Sequence, residues 1–237
     1  MKTAYITGGS KGIGYGIAQA MLSEGMKVAI SGRNEDTLNE AAQSLNHGQG
    51  ELLTIVSDVR NYESEEKAIA SVIDKWGQLD ILIANAGVGK FAPVHELSLD
   101  DWNSMIDINL TGVFHSVKAS VPALKKSEGY IITIASLAGA NFFKSGSAYN
   151  ASKFGLVGFT QAVMLDLREF GIKVTTIMPG SVATHFNDHT PTEADDWKIQ
   201  KEDIGQIVID LLKMNPRTLP SKVEVRPSIP ASVKKKT

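Results

Sequence analysis

The chain has 237 residues, 43% of them hydrophobic and 21% charged, which suits one globular domain with a sizeable core. A net charge of -2 offers no basic surface for nucleic acid or an anionic membrane, and no apolar run approaches the length of a membrane span. Cysteine is absent, which excludes disulfides and thiolate-held metals and is compatible with a reducing compartment.

In chain order, an apolar strand over 3–7 runs into Thr7-Gly8-Gly9-Ser10-Lys11-Gly12-Ile13-Gly14, and an amphipathic helix follows over 13–22. A strand that starts this early leaves no room for a signal peptide, so the cytoplasm is the expected location. Strands are predicted over 27–31, 52–56, 81–84, 130–135, 173–178 and near 223–225. Between them lie helices over 34–45, 63–76, 101–125, 147–170 and 201–214. Asn34 can cap the first of these, and Ser98 with Asp101 reads as a capping box in which Asp replaces Glu. Apolar strands alternating with helices indicate a parallel sheet covered on both faces. The expectation is a single-domain, doubly wound α/β fold of about seven strands spanning 1–237, with a possible substrate lid at 185–200 and a frayed tail at 230–237.

Ligands of such sheets bind beyond the carboxyl ends of the strands. The glycine loop there joins a strand to a helix, so backbone N–H groups and the helix dipole make an anion site. Its glycines, Gly8, Gly12 and Gly14, let the backbone turn sharply and approach a ligand closely. Glycine-rich turns also serve purely structural ends, but the strand–loop–helix context favours phosphate. After the second predicted strand comes Ser31-Gly32-Arg33, where Arg33 suits a ribose 2′-phosphate better than a free hydroxyl. The remaining strand ends carry Asp58-Val59, Asn85-Ala86-Gly87, Ser136 and Pro179-Gly180. Each is an ordinary loop residue singly; together they outline a cofactor crevice.

Tyr149 and Lys153 stand four apart on one helix and share a face. A cation ~4 Å from a phenol at an effective dielectric of ~20 favours the phenolate by roughly 4 kcal/mol. That corresponds to as much as about three pK units. Tyr149 is thereby expected to exchange a proton near neutral pH. The same pair is equally the face of an ordinary amphipathic helix. His47, His95, His115, His185 and His189 show no ligand pairing, read as surface or loop residues, and no metal is expected.

In combination these features resemble the short-chain dehydrogenase/reductase family, and the resemblance covers nearly the whole chain. It rests on Thr7 to Gly14, Asp58, Asn85-Ala86-Gly87, Asn109, Ser136, Tyr149 with Lys153, and Pro179-Gly180 followed by Thr184, in that order. It implies a Rossmann fold and NADP(H)-linked interconversion of a carbonyl and an alcohol. Tyr149 would be the proton donor, Ser136 would hold the carbonyl oxygen, and Lys153 would bind the nicotinamide ribose. Asn109 would hold a water through its backbone. Gly8, Ser10, Lys11, Gly12, Ile13 and Gly14 would cradle the cofactor phosphates. Asp58 and Val59 would face the adenine, Asn85 to Gly87 the crevice, and Val182 with Thr184 the nicotinamide carboxamide.

The same resemblance places the substrate pocket after Ser136 and after Pro179-Gly180. Those segments carry Ala138, Gly139, Ala140, Asn141, Phe142 and Phe143, then His185 and Phe186, with Phe91 joining from the loop after the fourth strand. This lining favours a carbonyl on an apolar or aromatic body. A 3-oxoacyl thioester reductase is the alternative within the class, and a non-catalytic dinucleotide sensor is the alternative outside it. A homotetramer, or else a dimer, is expected through the long helices. NADPH is expected over NADH from Arg33 and Lys11.

Overall fold

The computed structural model describes residues 1–45 and 48–229. His47 and the tail at 230–237 lie outside the described residues. Among the described residues seven strands form one sheet: β1 (Thr3–Thr7), β2 (Lys27–Gly32), β3 (Glu51–Val56), β4 (Ile81–Ala84), β5 (Tyr130–Ile134), β6 (Lys173–Pro179) and β7 (Lys222–Val225). Their order is β3-β2-β1-β4-β5-β6-β7, and every neighbouring pair is parallel. The connecting helices are α1 (Gly12–Ser23), α2 (Glu35–Ser44), α3 (Tyr62–Trp76), α4 (Leu99–Ile106), α5 (Gly112–Ser127), α6 (Ser147–Leu167) and α7 (Lys201–Lys213).

The period-two alternation of the strands decides which helices cover which face. Ile30, Ile6, Ile83 and Ile132 stand in register across β2, β1, β4 and β5. That row packs against Ile17 and Met21 of α1, Leu38 of α2, and Ile204 and Val208 of α7. One residue earlier, Ala29, Tyr5, Leu82 and Ile131 make the opposite row, against Val72 of α3, Val117 of α5 and Leu156 of α6. Both rows are essentially free of solvent, and each buried isoleucine or leucine stabilises the fold by about 1.5–3 kcal/mol. The fold is the doubly wound one expected.

Two helices differ from their expected form. The helix expected over 101–125 is α4 and α5 joined through a π-helical turn, Asp107–Thr111. Helix α6 ends at Leu167, and a 3₁₀ turn, Arg168–Phe170, carries the chain to Gly171 at φ 72°. At the start of α4, Ser98 Oγ accepts from Asp101 N at 3.0 Å and donates to Asp101 Oδ2 at 2.8 Å, so the carboxylate of the expected box closes on the hydroxyl.

The connection reverses between β1, whose chain winds toward β2 and β3, and β4, whose chain winds toward β5 to β7. Such a switch point opens a crevice at the carboxyl ends of the two strands. Asn85 spans it. Its Nδ2 donates to Thr7 O at 2.9 Å and Gly8 O at 3.0 Å, while the amides of Asn85 and Ala86 both donate to Thr7 Oγ1 at 3.0 Å.

Candidate active site

A cleft of about 1050 Å³ opens at this switch point. Its walls include Gly8, Lys11, Gly12 and Ile13 of the glycine loop, Asn85 to Gly87, Ser136, Tyr149 and Lys153, and Pro179, Gly180, Val182 and Thr184. Gly8 and Gly12 sit in the left-handed region at φ 64° and 55°, which turns the loop so that α1 begins at the cleft. Gly14 is required by contact: a Cβ there would lie 2.4 Å from Gly8 O and 2.5 Å from Asn85 Nδ2. Lys11 occupies the N-cap and makes no side-chain cap, so the first amides of α1 are presented to an incoming anion. Thr184 comes over from the end of β6, within 3.4 Å of where a Gly12 Cβ would stand.

At the β2–β3 end Ser10, Arg33, Asp58 and Val59 are not among the walls of that cleft. Arg33 is exposed, and its charge helps hold the Asp58 carboxyl down. The larger cause is Arg60, which sequence reading missed. Its Nε lies 3.0 Å from both Asp58 oxygens and its Nη2 2.5 Å from Oδ2, holding that carboxyl below its ordinary range. Val59 O is 2.9 Å from His115 Nδ1. His115 is therefore half-buried on α5, not a free surface histidine. Ser10 Oγ lies 3.6 Å from where a Cβ on Gly32 would stand.

The floor of the site is tightly bonded. Asn109 sits in the π-helical turn and is fully buried. Its Oδ1 accepts from Val88 N at 2.8 Å, and its Nδ2 donates to Val88 O at 2.9 Å and Ser152 Oγ at 3.0 Å. The side chain thus staples the loop after β4 to α6. Lys153 Nζ donates to Ile134 O at 3.0 Å and lies 5.8 Å from the Tyr149 ring centre. Ser136 caps the 3₁₀ turn Leu137–Gly139, accepting from Ala138 N at 3.1 Å, and hydrogen-bonds the Tyr149 hydroxyl.

The proton affinities differ from expectation. Burial pushes Lys153 down from 10.5 to about 8. Burial also pushes the Tyr149 phenol up, and the Ser136 hydrogen bond only partly opposes it. The expected lowering of the phenol by Lys153 is therefore corrected: both groups are buried, and removal from water is the leading cause of each shift. Tyr149 is a neutral O–H donor at neutral pH.

Above the floor stand Phe91, Phe143 and Phe186, with Ala138, Asn141, Phe142, His185 and His189 on the same wall. Gly139 packs instead against Val157 and Lys153 O, and Ala140 points to solvent, so neither belongs to the lining. Sequence reading missed Asp195, which anchors the segment at 185–200. Its Oδ1 is 2.6 Å from Lys198 Nζ, and its Oδ2 is 2.6 Å from His189 Nε2 and 3.1 Å from Thr192 N. Those three partners hold its carboxyl far below the ordinary range. His189 and Lys198 both face the cleft, as does Arg226 after β7.

Residues 2–195 match the family described as short chain dehydrogenase. The chain belongs to that family. An uncharacterized oxidoreductase of Staphylococcus saprophyticus is 34% identical over 232 residues, covering 95% of this chain and 97% of that one. The fold of an alcohol dehydrogenase from the archaeon Thermococcus sibiricus, solved with 5-hydroxy-NADP, superimposes with a TM-score of 0.91 at 29% identity, covering 96% and 97% of the two chains. A metagenomic short-chain oxidoreductase solved with NADP gives 0.84 at 30% identity, covering 97% and 98%. This short-chain dehydrogenase is thus an oxidoreductase with the Rossmann architecture. Among its described residues no helix is long and apolar enough to cross a membrane.

Proposed function

We propose that this protein reduces a ketone or aldehyde to the alcohol with NADPH, and catalyses the reverse oxidation. The observation that carries the reading is Tyr149, neutral and hydrogen-bonded to Ser136, standing with buried Lys153 in a cleft that opens from a helix N-terminus. The cleft fits a dinucleotide: two left-handed glycines turn the loop, no internal cap blocks the first amides of α1, and its volume exceeds that of a small substrate alone.

When bound, the reduced nicotinamide supplies hydride to the carbonyl carbon. Everything else falls to the chain. Ser136 donates a hydrogen bond to the carbonyl oxygen, and Tyr149 delivers the proton that oxygen takes up as the carbon accepts hydride. Lys153 binds the ribose hydroxyls and, held by Ile134 O, keeps a positive charge beside the phenolate that remains. Asn109 fixes the loop from Gly87 against α6, with its backbone positioned by the π-helical turn to hold a water near Lys153. Gly8 to Gly14 take the phosphates, Asp58 and Val59 the adenine, and Arg33 with Lys11 the 2′-phosphate. The segment at 185–200 acts as the lid.

The test is turnover against a panel of ketones, aldehydes and alcohols with NADPH and NADH. Tyr149→Phe should lose about 10²–10⁴-fold in kcat, while its NADPH dissociation constant stays within about twofold. Turnover by Tyr149→Phe equal to that of the unmutated protein would remove Tyr149 from the mechanism.

We also propose a homotetramer. Phe114 on α5 and Phe154 and Leu165 on α6 are exposed, an apolar surface on the two long helices that a second copy would cover. A monomeric mass in light scattering at micromolar concentration would contradict it.

A further inference from the structure

Two phenylalanines from separate strand-end loops, Phe91 and Phe186, meet Tyr149, and Phe143 from a third loop joins them through Phe91. Phe91, from the loop after β4, is the hub. Its ring centre lies 5.5 Å from Tyr149 at 84°, 5.5 Å from Phe143 at 69°, and 6.5 Å from Phe186. Phe186 closes the group at 5.6 Å from Tyr149, tilted by 57°. These are edge-on and tilted contacts, the arrangement in which a positive ring edge meets a negative ring face. The three rings are nonetheless 40%, 47% and 37% exposed, and all of them line the cleft. A substrate whose oxygen reaches Tyr149 can lay its body against them. Among the described residues no carboxylate lines the cleft, so a cationic group would find no counter-ion there.

Gly89 sets how closely the rings approach. A Cβ on it would stand 2.4 Å from Phe186 Cζ and 3.3 Å from Phe91 Cζ. Its φ is not in the left-handed region, so alanine fits the backbone and the only conflict is with the rings. Phe186 belongs to the anchored segment at 185–200, and Gly89 is the seat on which its ring rests.

We infer that Phe91, Phe143 and Phe186, spaced by Gly89, form a three-ring clamp that selects a carbonyl borne on a planar π-system without a cationic group, such as an aryl ketone. The inference rests on the carbonyl-reductase reading above and names its substrate class. A flat ring can lie across the exposed parts of the three rings and make edge and face contacts with them. A saturated ring of similar size buries comparable apolar area but is thicker and lacks the quadrupole. Conjugation makes an aryl ketone the poorer hydride acceptor, so any preference for it must come from the clamp.

The experiment compares kcat/KM for phenyl methyl ketone and cyclohexyl methyl ketone at saturating NADPH. The unmutated protein should favour the phenyl ketone by about five- to tenfold. Gly89→Ala, which displaces Phe186 without removing it, and Phe186→Leu should each reduce that ratio to about two or less, with NADPH dissociation constants within about twofold of the unmutated protein. A ratio near one or favouring the cyclohexyl ketone overturns the clamp while leaving the carbonyl-reductase reading intact, as does a ratio unchanged in both variants. Failure to turn over either ketone or its alcohol while another carbonyl of the panel is reduced overturns the clamp alone, and failure across the whole panel overturns both.

Discussion

At the floor of the cleft Lys153 and Tyr149 are 4% and 8% exposed, and Lys153 is tied to Ile134 O. Beyond the cleft, at the ends of β2 and β3, Arg33 is exposed, and Asp58 is paired with Arg60 where solvent reaches both. One end holds charge where water is excluded, so each group's proton affinity is set by burial and by one or two fixed partners. The other end holds charge where water remains, so its contribution is a screened attraction of modest size. The proposed chemistry needs the first arrangement, because in it a proton leaves from a defined atom. The proposed recognition of a phosphate needs only the second.

The largest effect expected from breaking this contrast is Lys153→Met. Turnover should fall by about a hundredfold or more, in line with loss of a positioned charge at the reacting site. The fold should become more stable. Lys153 falls from 10.5 to about 8, so the folded protein binds that proton less tightly than the unfolded chain. The resulting penalty, about 3 kcal/mol at ~1.4 kcal/mol per unit, is fully present below about pH 8. It fades between about pH 8 and 10.5 as the folded protein loses the proton first. Loss of the bond to Ile134 O offsets about 1 kcal/mol. Urea titrations should therefore show the methionine variant about 2 kcal/mol more stable at pH 7, and the advantage should shrink by pH 10. A variant less stable at pH 7 would mean the buried lysine carries no desolvation cost.

The exposed end should respond more weakly. Arg33→Ala should weaken NADPH about ten- to a hundredfold and leave NADH almost untouched, because a hydrogen bond to a charged group contributes roughly 1.5–3 kcal/mol. Fluorescence titration with both coenzymes checks it, and tighter NADH binding by the unmutated protein would contradict the assignment of Arg33 and Lys11. The smallest effect is that of salt. Raising ionic strength should weaken NADPH a few-fold more than NADH, since the Debye length shrinks below the reach of an exposed cation. Equal salt slopes would place the phosphate away from both cations.

The same contrast governs what the sequence disclosed. Strands such as β4 were legible because a short apolar run, Ile81–Ala84, is buried on both faces and bounded by polar residues. That Tyr149 and Lys153 share one helix face was legible because a spacing of four residues fixes it. The π-helical turn was missed, although buried hydrophobic positions on that helix step through Met105, Ile108, Val113 and Val117, and the five-residue step is its signature. Glu65 reads as a surface charge in an acidic first turn, yet it is fully buried. It accepts from Ser57 Oγ, Ser116 Oγ and Tyr5 OH, whose positions are 8, 51 and 60 residues away. No local pattern announces a partner at such distances. Asp195 and Arg60 were missed differently: their partners are near in sequence, but only the loop geometry brings the charges together. The downward shift expected for Tyr149 failed because spacing gives proximity and says nothing of burial.

The central claim is that the cleft passes hydride to a carbonyl carbon while Tyr149 supplies the proton. It is tested most directly with NADPH deuterated at the transferring position of the nicotinamide and phenyl methyl ketone, in the unmutated protein and in Tyr149→Phe. Mass spectrometry of the alcohol should show one deuterium on the carbinol carbon with the unmutated protein, and about 10²–10⁴-fold less labelled alcohol per unit time from the variant at equal NADPH occupancy. Alcohol without deuterium, or equal labelling rates from the two proteins, would contradict the account.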